Sequence, residues 1–212
     1  MRLLGRIARR FRSISGFGQP AHVFHDRYAQ SEKDAWGYLG SAAHEHRCRL
    51  ILDLLPSASA GTALEVGCAE GFITKSLAQR FSRVIACDLS DIAVDRARRY
   101  CGDAPNVEFH AQDIRSGIPA HDVQVCLVSD VLYYLSPREI SSFAIDLASR
   151  MNASGQMVFA NEWNTNYRDL THPEKACQVI LNTGHWKKLS FEQKSVAENG
   201  CLWVGVFEVT KG

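Results

Sequence analysis

Short apolar runs alternate with stretches of helical period from about residue 42 to the end of the chain. A helix is expected over Ala42 to Leu55, stopped by Pro56. The segment TALEV at 62–66 reads as a strand, and 71–81 as a helix. RVIACD at 83–88 is a second strand, followed by a helix that Ser90 caps and that runs to about Tyr100, with Asp91 in its first turn. NVEFHA at 106–111 and DVQVCLVS at 122–129 are further strands. Ser136-Pro137-Arg138-Glu139 has the spacing of a capping box with proline at the first helical position. GQMVFAN at 155–161 is a strand, and WKKLSFEQ and CLWVGVFEV alternate with period two around a turn at Glu198-Asn199-Gly200.

Strands that alternate with helices imply a mainly parallel sheet with helices on both faces. The last two strands are too close in sequence for a crossover and must pair antiparallel. The expected fold is therefore α/β and Rossmann-like, with about seven strands and a C-terminal antiparallel hairpin. Residues 1–20 read as a basic tail and linker, with Gly16, Gly18 and Pro20 as punctuation. Residues 21–212 read as a single domain, in which 21–56 form an N-terminal cap and helix.

At 212 residues the chain is long enough to bury a core without disulfides or metals. No run of 18 apolar residues is present. The net charge of +1 hides a split, since the first 16 residues hold five arginines and no acid. Without them 19 basic and 23 acidic groups remain, a net charge of −4. An acidic body argues against nucleic acid as the partner. The tail has Leu3, Ile7 and Phe11 at helical spacing, which suits peripheral contact with an anionic membrane or docking to a partner; a solvated tail is the alternative reading. Seven cysteines with no C-x-x-C pair point to a reducing, cytoplasmic setting, with the tail as a means of reaching the inner face of a membrane. The eight histidines show no spacing that indicates a metal site. No obligatory protein partner is evident.

Chemistry concentrates at Leu64-Glu65-Val66-Gly67-Cys68-Ala69-Glu70-Gly71, where a strand meets a helix through a glycine turn. Glycine permits a sharp turn and close approach of a ligand, and the helix start offers free N–H groups. Asp88 ends the next strand, 21 positions after Gly67, where a carboxylate can accept both hydroxyls of a ribose. A dinucleotide fingerprint would need glycine where Phe72 stands, and the Gly-Lys-Ser/Thr of a phosphate loop is missing. Glu65-x-Gly67-x-Ala69-x-Gly71 resembles motif I of class I S-adenosylmethionine-dependent methyltransferases, with Ala69 in place of the middle glycine. If that position needs positive φ, alanine costs on the order of 1 kcal/mol.

The resemblance implies further assignments over most of 60–210. Glu65, Gly67, Cys68, Ala69 and Gly71 would form the cofactor turn. Asp88 and Leu89 would meet the ribose edge, and Gln112, Asp113 and Ile114 the adenine. Ser129-Asp130-Val131-Leu132-Tyr133-Tyr134-Leu135 matches the segment beside the methionine end, so Ser129 and Val131 join the cofactor set, with Tyr38 from the N-terminal stretch. EVGCAEG together with SDVLYYL, and Trp36-Gly37-Tyr38 ahead of the first core helix, are most similar to the nodulation protein S branch. Those enzymes N-methylate the glucosamine end of a chitooligosaccharide.

The implied activity is methyl transfer from S-adenosylmethionine to nitrogen or oxygen of a small-molecule or glycan acceptor. Tyr28, Trp36, Tyr38, Tyr133 and Tyr134 are candidates for an aromatic wall around the sulfonium. Tyr134 and His172 are the expected catalytic residues, with Glu162 and His185 as further candidate bases. Acceptor choice falls to 17–45 and 161–186, where Trp36, Tyr38, Trp163, Tyr167 and Trp186 suit stacking on a sugar. A nicotinamide-dependent oxidoreductase and a non-catalytic cofactor-binding module are the competing readings.

Overall fold

The computed structural model describes residues 21–56, 59–102, 104–163, 170–197 and 200–210. The tail, the 16–20 linker, Tyr167 and most of the Glu198-Asn199-Gly200 turn lie outside them. In chain order the elements are α1 (Ala21–Ala29), α2 (Ala42–Leu52), β1 (Ser59–Val66), α3 (Phe72–Ala78), β2 (Phe81–Asp88), α4 (Asp91–Cys101), β3 (Val107–Ala111), β4 (Val123–Ser129), α5 (Pro137–Arg150), β5 (Met151–Trp163), α6 (Pro173–Asn182), β6 (Trp186–Ala197) and β7 (Gly200–Val209).

The seven strands form one sheet in the order β3-β2-β1-β4-β5-β7-β6. The first five pair in parallel, with Leu64 of β1 beside Ile85 of β2 and Cys126 of β4. β7 runs antiparallel to both β5 and β6, as the short connection requires. The order reverses between β1 and β4, which opens a crevice at their carboxyl ends, the place where α/β sheets bind ligands.

Alternation along the strands divides the core. Leu64, Val66, Cys126 and Val128 face α5 and α6, whereas Ala63, Val125 and Leu127 face α2 and α3. α5 presents Ile140, Phe143, Ala144, Leu147 and Ala148 at helical spacing, and its capping box closes in both directions between Ser136 and Glu139. Ser90 caps α4 as expected, accepting from the Ala93 N–H.

Two helices end earlier than their periodicity suggests. α2 stops at Leu52, and Leu55 folds back into the core from the turn beyond it. α3 stops at Ala78 because Phe81, 3% exposed, is drawn into the sheet beside Leu77 and Val84. β5 extends past both expected ends, to Met151 and Trp163. Trp186 is not available to an acceptor: it is buried, and its indole N–H donates to Ala144 O at 3.0 Å. Among the described residues no helix is long and apolar enough to cross a membrane.

The segment ahead of β1 is tied to the body by polar contacts. Arg96 of α4 donates to Tyr28 O at 2.9 Å and to Ser31 O. Its other terminal nitrogen reaches Glu70 at 2.8 Å, and Glu70 also accepts from the Ala35 N–H. Phe24 of α1 packs edge-on against Tyr134 with ring centres 5.0 Å apart. These contacts bring α1 and the following loop over the open edge of the sheet.

Candidate active site

The turn after β1 is built by its glycines. Gly67 has φ of +79°, and its N–H and that of Cys68 both donate to Cys87 O, at 2.8 and 3.0 Å. A Cβ on Gly67 would collide with Cγ2 of Val131, so glycine lets the β1 and β4 loops close on each other. Ala69 has φ of +48°, so the residue standing in place of the middle glycine does adopt the left-handed conformation, at a cost of roughly 1–2 kcal/mol. Its N–H donates to Asp88 at 3.0 Å, and its side chain packs near Tyr28 and Ala93.

Asp88 receives the Ala69 and Ser90 N–H groups, each at 3.0 Å. Burial pushes its pKa up to about 6, and the N–H groups of Ser90, Ala69 and Leu89 pull against that rise. Glu65 is 2% exposed and accepts from the Thr74 hydroxyl at 2.6 Å, joining β1 to α3. Burial raises it to about 8, only partly offset by the Thr74 hydrogen bond, so it is largely protonated at neutral pH.

The turn after β3 is shaped by side chains. The Gln112 amide donates to Asp113 O, Ser116 Oγ and Gly117 O. Asp113 caps the following turn and holds the Arg115 guanidinium at 2.7 Å. Burial would raise the Asp113 carboxyl, but Arg115 keeps it below its ordinary value.

These turns line a single cavity at the β1/β4 reversal. Glu65, Gly67, Cys68, Ala69, Asp88 and Leu89 face it from one side, Gln112, Asp113 and Ile114 from another, and Ser129, Val131 and Tyr38 close it. Tyr28, Trp36, Tyr133 and Tyr134 line it as well. The Trp36 indole donates to the Tyr28 hydroxyl at 2.7 Å, and the Arg27 guanidinium lies 4.0 Å from the Trp36 ring centre. Tyr38 stacks on His44 at 3.8 Å, and burial lowers His44 to about 4, which keeps that imidazole neutral.

Three expected residues lie elsewhere. Gly71 does not line the cavity; a Cβ there would sit 3.0 Å from Ala97 Cα, so this glycine serves the packing of α3 on α4. His172 is also absent from the lining. It caps α6, accepting from the Glu174 N–H at 3.3 Å, and its ring packs edge-on against Trp163 and Trp203. His185 is exposed just before Trp186, which pairs with Val209 beside the amino-terminal end of β5, opposite the crevice. Neither histidine is positioned as a base for this cavity. Tyr134 does line it, with a hydroxyl raised by burial.

The geometry adds residues that the motifs did not supply. Arg47 of α2 is buried, donates to Ser129 Oγ at 2.7 Å and pairs with Asp130. Asp130 has φ of +54°, and its other oxygen accepts the Glu162 N–H at 2.8 Å. Arg47, Asp130 and Glu162 all line the cavity, so one ion pair joins α2, the end of β4 and the end of β5. No local sequence pattern marks Arg47; its partner is 83 residues away. Among the described residues no group of three His, Cys, Asp or Glu side chains is placed to hold a metal.

A mainly parallel sheet with a glycine turn, a strand-end acid and an aromatic wall at its reversal point fits an S-adenosylmethionine-dependent methyltransferase, and the family comparison shows that class. The sequence pattern of the nodulation protein S (NodS) family matches residues 25–197, and the chain belongs to that family. It is 30% identical over 161 residues to nodulation protein S of Sinorhizobium fredii, covering 75% of this chain and 74% of the relative. Phosphoethanolamine N-methyltransferase 1 of Arabidopsis thaliana is 28% identical over 179 residues, covering 76% of this chain and 35% of the plant enzyme. The crystal structure of the N-methyltransferase NodS from Bradyrhizobium japonicum, in complex with S-adenosylhomocysteine, shares the fold. Its TM-score is 0.78 at 21% identity, covering 91% of this chain and all of the other. The methyl donor is S-adenosylmethionine, and membership of the family sets aside the oxidoreductase and non-catalytic readings.

Proposed function

We propose that this cavity holds S-adenosylmethionine and methylates the nitrogen of an amine-bearing small molecule or glycan. The observation that carries the reading is the wall at the β4 and β5 ends. Aromatic rings of Trp36, Tyr38, Tyr133 and Tyr134 stand there with the carboxylates of Asp130 and Glu162. Aromatic faces and carboxylates favour cations, which both the sulfonium and an approaching ammonium are. Of the arginines that line the cavity, Arg47 and Arg115 are paired with Asp130 and Asp113, and Arg27 lies over the Trp36 ring.

On this reading Asp88 accepts the ribose hydroxyls, Leu89 and Ile114 cover the base, and the turn at Gly67 lies against the methionine end. The donor brings the electrophilic methyl and the leaving group when bound. The protein aligns the nitrogen with it and excludes water, which is worth up to roughly 7–11 kcal/mol. The phosphoethanolamine N-methyltransferase and the N-methyltransferase NodS among the relatives support nitrogen over oxygen, and the resemblance to the nodulation branch supports a glucosamine-type amine.

The test is transfer of labelled methyl to a chitooligosaccharide with a free terminal amine, beside its fully N-acetylated counterpart. Label on the free amine alone is expected. Equal labelling of both, or of neither, would sink the reading.

Asp88 makes donor binding depend on pH. Both of its oxygens can accept only when it is ionised, so affinity for S-adenosylhomocysteine falls, by up to about tenfold per unit, as pH drops below about 6. The unliganded protein behaves in the opposite sense: a raised carboxyl pKa means stability is lost as pH rises through the interval between the ordinary value and about 6. Calorimetric titration of Asp88→Asn should show an affinity weaker by roughly 1.5–3 kcal/mol at neutral pH and no acid limb. A retained limb would reassign it to another group.

A further inference from the structure

Among the described residues, Glu162 is the one carboxylate of the cavity wall that the fold leaves without a task. Asp88 is held by backbone N–H groups, Asp113 by Arg115, Asp130 by Arg47, and Glu65 by Thr74. Among the described residues the Glu162 side chain makes no hydrogen bond or ion pair, although it is buried enough for its pKa to rise. Burial is the main cause, Asp130 adds to it, and Arg47 opposes it. Its backbone, by contrast, is fixed: the N–H is bonded to Asp130, whose second oxygen is pinned by Arg47. The next residue, Trp163, packs edge-on against His172 and among the aromatic side chains around Tyr133 and Tyr134. A carboxylate that lines the cavity, carried on a rigid strand end and lacking an internal partner, is arranged for a ligand group rather than for stability.

We infer that Glu162 is the catalytic base that takes the proton of the acceptor ammonium, with Arg47 and Asp130 as positioning residues that hold it in place. This rests on the nitrogen-acceptor reading above. The ammonium N–H bond breaks and its proton passes to the Glu162 carboxylate. The freed nitrogen lone pair then forms the bond to the methyl carbon as the C–S bond breaks, and that electron pair remains on sulfur as a neutral thioether. The product leaves as the N-methylammonium ion, which carries the positive charge that the sulfonium loses, and the Glu162 proton returns to water.

The charge arrangement suits each half of this cycle. An ionised Glu162 attracts the ammonium, and a carboxyl of raised pKa accepts the proton more readily than an exposed one. The groups that face it are Asp130 at the end of β4, Arg47 on α2, and Tyr38 in the loop before α2. Tyr38 is uncharged across the working range because burial raises it far above its ordinary value. The charges that tune Glu162 are therefore those of the Arg47–Asp130 ion pair.

The experiment compares wild type with Glu162→Gln on the free-amine chitooligosaccharide across pH, with S-adenosylhomocysteine affinity measured by calorimetry. Glutamine keeps the shape and loses the base. The expected result is unchanged cofactor affinity, a loss of about 10²-fold in kcat/KM at neutral pH, and recovery as pH rises above the acceptor's own pKa. Recovery is the decisive feature, since a merely structural loss would persist at every pH. Glu162→Asp, which keeps the charge on a shorter arm, should retain part of the neutral-pH activity. A Glu162→Gln rate equal to wild type, or reduced by one factor throughout the pH range, overturns the assignment of the base while leaving N-methylation standing. Absence of methylation by wild type overturns the nitrogen-acceptor reading itself, and this inference with it.

Discussion

Gly67→Ala will weaken S-adenosylhomocysteine binding by roughly 10- to 10²-fold, with a fall in thermal stability alongside. Two costs add at this position. A residue with a Cβ at φ of +79° carries a penalty of roughly 1–2 kcal/mol. The added methyl also collides with Val131 Cγ2, and overpacking of a close contact costs about 1–3 kcal/mol more. The second cost falls on the cofactor site, because Val131 can move away only by displacing the loop that follows β4. Ala69 shows that positive φ alone is tolerated in this turn. Its side chain has a place near Tyr28 and Ala93, and its N–H is held by Asp88. The informative control is therefore Gly67→Ala combined with Val131→Ala, measured by calorimetry and thermal melting. Partial recovery in the double variant would assign the loss to the collision. No recovery would assign it to backbone conformation.

The second large effect is expected at Arg47. Arg47→Met leaves the partly buried Asp130 carboxylate without its guanidinium, a kind of change that costs up to about 3–5 kcal/mol. In a chain of 212 residues that corresponds to a fall in Tm on the order of 10 °C. Adding Asp130→Asn removes the stranded charge and keeps an oxygen for the Glu162 N–H. The double variant should therefore regain much of the stability while remaining impaired in methyl transfer, because Glu162 loses its fixed electrostatic setting. Equal melting temperatures for the single and double variants would show that Arg47 matters through its packing instead.

These positions differ in how far the sequence exposes them. The glycine turn and Asp88 were legible because local rules govern them. A strand must stop, the chain must reverse, a helix must start, and an acid at the end of the neighbouring strand follows at nearly fixed spacing. The segments carrying Gln112 to Ile114 and Ser129 to Val131 were assigned through the family resemblance instead, and all of them reach the cavity. Gly71 was read as a cofactor residue from its place in the motif. It is glycine because its φ is +88° and because Ala97 of α4 approaches it, a contact that no local pattern announces.

The bases illustrate the limit more sharply. His172 sits in the loop where acceptor contacts were expected, and its residue type suits proton transfer. It packs against Trp163 and Trp203 and is not among the residues that line the cavity. Glu162, two strands' pairing away from Gly67, lines the cavity because β5 lies beside β4 in the sheet. Trp186 was equally ambiguous until the sheet and α5 enclosed it.

The sequence by itself determined the class of fold, the strand and helix order, the antiparallel end, and the turns that define the cofactor cavity. Each depends on periodicity, glycine or proline chemistry, or a short spacing, all of which act within a few residues. Only the tertiary structure decided which titratable groups meet, since Arg47 and Asp130 are joined across 83 positions by helix docking. It also decided which carboxylate is left free, because that is settled by what every other polar group has already bonded.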